Sequence, residues 1–127
     1  MAKRILLVED DRFLRRLHEV GLRKQGFTVL TAIDGEDGLR LAQAERPDLV
    51  LLDLVMPKLQ GFEVLRMLKA VPETAAIPIV VLSSLGGDAD VQAALRAGAA
   101  SYIVKTAVAM PELVAKVEAA LATPPQP

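Results

Sequence analysis

The chain has 127 residues, 52% of them apolar, enough to bury one core and too few for two independent domains. Its 15 Lys and Arg against 16 Asp and Glu leave a formal net charge of -1, so nucleic acid and acidic membrane surfaces are not expected partners. Cysteine is absent, which rules out disulfide frameworks, thiolate metal sites and cysteine nucleophiles.

In chain order, Met1 to Arg4 lead into the apolar residues Ile5 to Val8, a run too short before Glu9 for a signal-peptide core or a membrane span. A cytoplasmic protein is the expectation. That run reads as a first strand. A first helix follows, with Leu14, Leu17, Gly21 and Leu22 on one side and Arg15, Arg16, Glu19, Arg23 and Lys24 elsewhere, stopping at Gly26. Val29-Leu30 marks the second strand. The second helix begins near Asp34, uses Leu39, Leu41 and Ala42, and must end before Pro47. Leu49 to Leu52 is the third strand, and Phe62, Val64, Leu65 and Leu68 define a third helix that ends before Pro72. Ile79 to Leu82 is the fourth strand. A fourth helix, capped by Asp88 after Gly86-Gly87, uses Val91, Ala94 and Leu95 and closes at Gly98. Tyr102 to Val104 is the fifth strand, and the fifth helix opens with Pro111 and uses Leu113, Val114, Val117 and Leu121.

Short apolar runs without polar alternation suit strands buried on both faces. Their alternation with helices predicts consecutive right-handed βαβ units: an α/β fold with one doubly wound parallel sheet, over residues 1–122. Residues 123–127 read as an exposed tail or the start of a linker.

In such sheets ligands gather beyond the carboxyl ends of the strands. Glu9, Asp10 and Asp11 follow the first run, Asp53 the third, Ser83 and Ser84 the fourth, and Lys105 the fifth. A lone Asp after a strand is ordinarily a turn or cap residue, and Asp10 or Asp11 is placed to cap the first helix. Coincidence at four strand ends is harder to assign to turns. Crowded carboxylates repel one another unless a cation neutralises them, and an oxygen-only donor set favours Mg²⁺.

The strings ILLVEDD, LVLLDLVMPKLQGFEVL, IPIVVLSS and RAGAASYIVK together resemble the receiver domain of two-component response regulators, of the chemotaxis-type, stand-alone kind. The resemblance implies a flavodoxin-like strand order 2-1-3-4-5 and Asp53 as phosphoacceptor. Glu9 and Asp10 would be the acidic pair holding Mg²⁺ with Asp53 and the backbone carbonyl of Val55. Ser83 and Tyr102 would be the switch pair and Lys105 the partner of the phosphoryl group. It further implies a sensor histidine kinase or histidine phosphotransfer protein as donor, a downstream protein target, and a surface near the fourth helix, fifth strand and fifth helix that changes on phosphorylation. The protein would be a monomer or a phosphorylation-dependent dimer, and a signalling domain rather than an enzyme. Either it stands alone or an effector continues past Pro127.

Tyr102 by itself reads as a half-buried aromatic and Ser83 as a strand-end hydroxyl bonded to backbone. Met56-Pro57 and Gly61 look like scaffolding for the turn after Asp53, with Gly61 supplying conformational freedom. His18, the single histidine, sits beside the apolar side of the first helix and reads as a packing residue, so the donor histidine belongs to another protein. Two features depart from the family pattern. Thr106 stands where a proline is usual; a non-proline cis bond costs about 2.5–4 kcal/mol, so a trans or strained cis bond is expected. Val55 and Leu85 are apolar and cannot orient an attacking water, which implies a long-lived phosphorylated form. Two alternative classes are a small phosphohydrolase with an aspartate nucleophile, for which Val55 lacks the expected acid, and a phosphorylation-independent adaptor, against which the retained Glu9, Asp10, Asp53, Ser83 and Lys105 argue.

Overall fold

Five parallel strands form one sheet in the order β2-β1-β3-β4-β5: β1 Arg4–Val8, β2 Thr28–Ala32, β3 Leu49–Leu52, β4 Ile79–Ser83 and β5 Ser101–Val104. The computed structural model describes residues 2–54, 61–84, 86–105 and 109–122. Every residue of β3 and β4 is buried, as are Ile5 to Val8 of β1, whereas β2 and β5 carry half-buried positions. The difference is positional: the three central strands have neighbours on both sides and helices above and below, and the outer two each leave one edge open.

Alternate residues of each strand feed two cores. Leu6, Val8, Val50, Leu52 and Val81 pack against α2 (Gly35–Glu45), α3 (Gly61–Ala70) and α5 (Asp88–Arg96) through Ala42, Val64, Leu65, Leu68 and Ala94. Ile5, Leu7, Leu49, Leu51, Val80, Leu82 and Ile103 pack on the opposite face against α1 (Arg12–Lys24) and α6 (Met110–Ala122) through Leu22, Leu113, Val114 and Val117. The sheet is thus covered on both sides, as the unbroken apolar runs require.

Helix starts follow the expected chemistry in two cases. Asp11 accepts the Leu14 amide at 2.9 Å to cap α1, and Asp34 accepts the Asp37 amide at 2.8 Å to cap α2; each such cap contributes about 1 kcal/mol. Gly26 and Gly98 lie beyond the ends of α1 and α5 with φ of 95° and 111°, a region that favours glycine.

The structure corrects four expectations. Asp88 does not cap its helix: Gly87 holds that position, and Asp88 stands in the first turn. A sixth helix of one turn, α4 (Pro72–Ala75), follows α3 where Pro72 was expected only to end it. Proline tolerates a first helical position because its missing amide is not needed there, and the buried Thr74 hydroxyl donates to the Leu68 carbonyl at 2.7 Å, tying the turn to α3. The fourth and fifth predicted helices are therefore α5 and α6. Leu17 and Leu95, assigned to apolar faces, are 47% and 38% exposed, because none of the described elements covers the outer part of either stripe.

Candidate functional site

Strand register builds the site. Val8 lies beside Leu52 in the β1–β3 pair, and the Asp53 amide donates to the Val8 carbonyl at 3.1 Å, so Glu9 and Asp53 leave adjacent strands together. Leu52 lies beside Val81 and Ser83 beside Val104, which brings Ser83 and Lys105 to the same rim. The Lys105 ammonium is 2.7 Å from Glu9 Oε1 and 2.7 Å from Asp53 Oδ2. One cation thus bridges two carboxylates that are only 1% and 4% exposed.

Burial pushes the Glu9 carboxyl above its ordinary value, an effect the Lys105 hydrogen bond partly offsets. Burial alone would depress the Lys105 ammonium, but the hydrogen bonds and charges of Asp53 and Glu9 outweigh it and raise the group. Glu9 Oε2 also accepts the Asp11 amide at 3.0 Å. Asp10 is exposed, and one carboxylate oxygen from each of Glu9, Asp10 and Asp53 lies within 4.8 Å of the others. Three clustered acids, two of them paired with one ammonium, form an oxygen-only donor set that fits a hard divalent cation.

A family model for the response regulator receiver domain matches residues 5–118. The chain belongs to that family. It is 44% identical over 101 residues to the transcriptional regulatory protein AfsQ1 of Streptomyces coelicolor, covering 80% of this chain and 44% of that protein. It is also 44% identical over 120 residues to PrrA of Mycobacterium tuberculosis, covering 94% and 50%. The chain thus spans about half the length of these curated relatives. Among solved structures, the BeF3-activated N-terminal receiver domain of Klebsiella pneumoniae RstA superposes with a TM-score of 0.87 at 32% identity, covering 94% of this chain and 99% of that one. The chemotaxis protein CheY4 of Vibrio cholerae gives 0.88 at 26%, covering 94% and 99%.

In this receiver, Ser83 is fully buried and Tyr102 half-buried, and a side-chain hydrogen bond joins them. Burial raises the Tyr102 hydroxyl, the Ser83 bond opposes this, and the Asp90 and Asp53 charges add to it. His18 is 6% exposed, and its Nδ1 has no hydrogen-bond partner among the described residues. Burial, and next the Lys105 charge, hold the imidazole below its ordinary value. The Val55 carbonyl, Met56-Pro57, Leu85, and the peptide from Lys105 to Thr106 lie outside the described residues.

Gly61 is needed for a different reason from the one expected. A Cβ there would collide with the Asp53 carbonyl oxygen and the Leu54 Cα, while the Gly61 amide donates to the Leu54 carbonyl at 3.1 Å. Close backbone approach demands the glycine. The sequence pattern placed Arg15 only off the apolar side of the first helix and gave it no part in the site, yet its NH1 donates to the Glu9 carbonyl at 2.9 Å and the Asp10 carbonyl at 3.3 Å. Its spacing of five and six residues from the acidic pair, along a helix leaving that pair, was the available signal.

Proposed function

We propose that this receiver accepts a phosphoryl group on the Asp53 carboxylate from a phosphohistidine of a sensor kinase or phosphotransfer protein. The observation that carries this is the Lys105 ammonium bridging Glu9 and Asp53, with Asp10 clustered beside them at one rim of the sheet. An Asp53 oxygen bonds to phosphorus as the imidazole N–P bond breaks, giving an acyl phosphate and a neutral imidazole. Lys105, released from part of its pairing with Asp53, neutralises phosphoryl oxygens, and the rim keeps attacking and leaving atoms in line. Asp10 and Asp53 would hold Mg²⁺, with Glu9, both of whose oxygens are engaged, orienting its water; the ion would supply charge neutralisation for the transferring group.

His18 is too buried to be the donor. The donor protein would dock on the apolar surface that α1 leaves open beside Asp10, where Phe13 is 76% and Leu17 47% exposed. This surface continues into a groove of about 490 Å³ against Met110, Pro111 and Val114 of α6.

Ser83 has a single hydroxyl proton. Once that proton is given to a phosphoryl oxygen, the Ser83 oxygen can only accept from Tyr102, and the constraint this puts on Tyr102 would pass to the surface of α5, β5 and α6. Output would run through protein contact, as the net charge of -1 favours, with the protein a monomer or a phosphorylation-dependent dimer through that face.

Incubation with Mg²⁺ and acetyl phosphate, followed by intact mass, tests the reading. One added phosphoryl group, absent in Asp53→Asn, is expected. Multiple turnover of an external phosphoester would favour a hydrolase, and an unchanged mass an adaptor.

A further inference from the structure

Asp10 is the least restrained of the three acids: it is exposed, and its carboxylate makes no hydrogen bond among the described residues. Glu9, by contrast, is held by Lys105 and by the Asp11 amide. What directs the Asp10 side chain is therefore its backbone. The two peptide planes flanking its Cα carry the Glu9 and Asp10 carbonyls, and a single nitrogen, Arg15 NH1, bonds both at 2.9 and 3.3 Å. Fixing both planes sets φ and ψ of Asp10, and with them the direction of its Cα–Cβ bond. The Asp11 amide bonded to Glu9 Oε2 and the Glu9 amide bonded to the Ala32 carbonyl at 3.1 Å anchor the same segment from the sheet side.

We propose that Arg15 is a positioning residue for the divalent-cation site, clamping the peptides around Asp10 so that its carboxylate is preorganised toward Asp53. This rests on the metal-binding reading above. The clamp lies one helical turn into α1, which Asp11 caps at its start, so the helix that leaves the site also orders it. Two effects of Arg15 have opposite signs. Its positive charge near the site disfavours a cation, an interaction that solvent screens at this half-buried position. Its hydrogen bonds favour the cation by sparing Asp10 the ordering cost, and loss of such supporting partners weakens metal affinity by roughly 10-fold or more.

The test is a Mg²⁺ titration of the unphosphorylated protein by calorimetry or amide NMR. Arg15→Met, which keeps the apolar stem and loses the donors, should bind Mg²⁺ about 10-fold more weakly. Arg15→Lys, which restores a charged donor, should fall between it and the wild type. Arg16→Ala, on the exposed side of α1, should match the wild type. With acetyl phosphate, the half-saturating Mg²⁺ concentration should rise by the same factor in Arg15→Met, with the rate at saturating Mg²⁺ changed by less than about twofold. Affinity of Arg15→Met equal to or tighter than wild type would overturn the proposal, and tighter binding would mean that charge dominates. Should Arg15→Met fail to fold by circular dichroism, the comparison of Arg15→Lys with wild type decides: weaker binding supports the clamp and equal binding refutes it. A wild-type protein that binds no Mg²⁺ would instead overturn the metal-binding reading itself.

Discussion

Replacing Lys105 by Met keeps an apolar stem of similar reach and removes the ammonium that lies 2.7 Å from both Glu9 and Asp53. With side chains 11%, 1% and 4% exposed, this is a buried triad, and removing one partner of such a group ordinarily costs about 3–5 kcal/mol. Because the exposed Asp10 edge admits water to the rim, the lower figure, about 3 kcal/mol near pH 8, is expected. The pH dependence identifies the cause. The Glu9 carboxyl already lies above 4.5 through burial, and Lys105, with the Asp11 amide, restrains it; without Lys105 it rises further. From 4.5 up to that raised value the folded protein holds a proton that the unfolded chain has released, so the stability of the variant falls as pH rises, by at most about 1.4 kcal/mol per pH unit. The deficit relative to wild type should therefore be smaller at pH 5 and larger at pH 8. Urea denaturation with chelator at pH 5, 6.5 and 8, followed by circular dichroism, measures it. Adding Glu9→Gln to the variant should recover much of the loss at pH 8 and little at pH 5. A deficit equal at pH 5 and 8, or one unaffected by Glu9→Gln, would refute the assignment of Lys105 as the charge that restrains the Glu9 carboxyl.

His18→Leu should stabilise the protein by about 1 kcal/mol at pH 7.5, since it replaces a buried nitrogen that has no partner among the described residues. The folded imidazole lies below 6.5, so the unfolded chain takes up the proton first. The stability conferred by a neutral His18 is thus complete above about 6.5 and is lost as pH falls through the folded value. The advantage of the variant should accordingly widen at pH 5.5, and parallel urea midpoints at the two pH values would contradict this. Gly61→Ala pushes a methyl group into the Asp53 carbonyl and Leu54 Cα and should cost about 2 kcal/mol. It should also slow acetyl-phosphate labelling of Asp53 through backbone displacement; a thermal midpoint and labelling rate equal to wild type would show that the loop accommodates it.

Much of this architecture is local in origin. Uninterrupted apolar runs at Ile5–Val8, Leu49–Leu52 and Ile79–Leu82 can be satisfied only by strands covered on both faces, and these are the three central strands. Asp11 and Asp34 cap helices because their side chains reach amides three residues on. The placing of acids, a serine and a lysine directly after such runs was enough to gather Glu9, Asp10, Asp53, Ser83 and Lys105 at one rim, since parallel strands all end on the same side.

What residue order does not contain is lateral coverage and close approach. Leu17 and Leu95 share a period with buried neighbours, yet burial depends on whether another element reaches that side of the helix, and none of the described elements does. Gly21 lets Met110 pack onto the backbone of α1, a contact between residues far apart in the chain. The reason for Gly61 is steric contact with Asp53 and Leu54, and the bridge from Lys105 to two acids and the Arg15 clamp depend on side-chain reach across strands and along a helix turn. Periodicity is a property of one segment, whereas these distances belong to pairs of segments, so only the folded chain decides them.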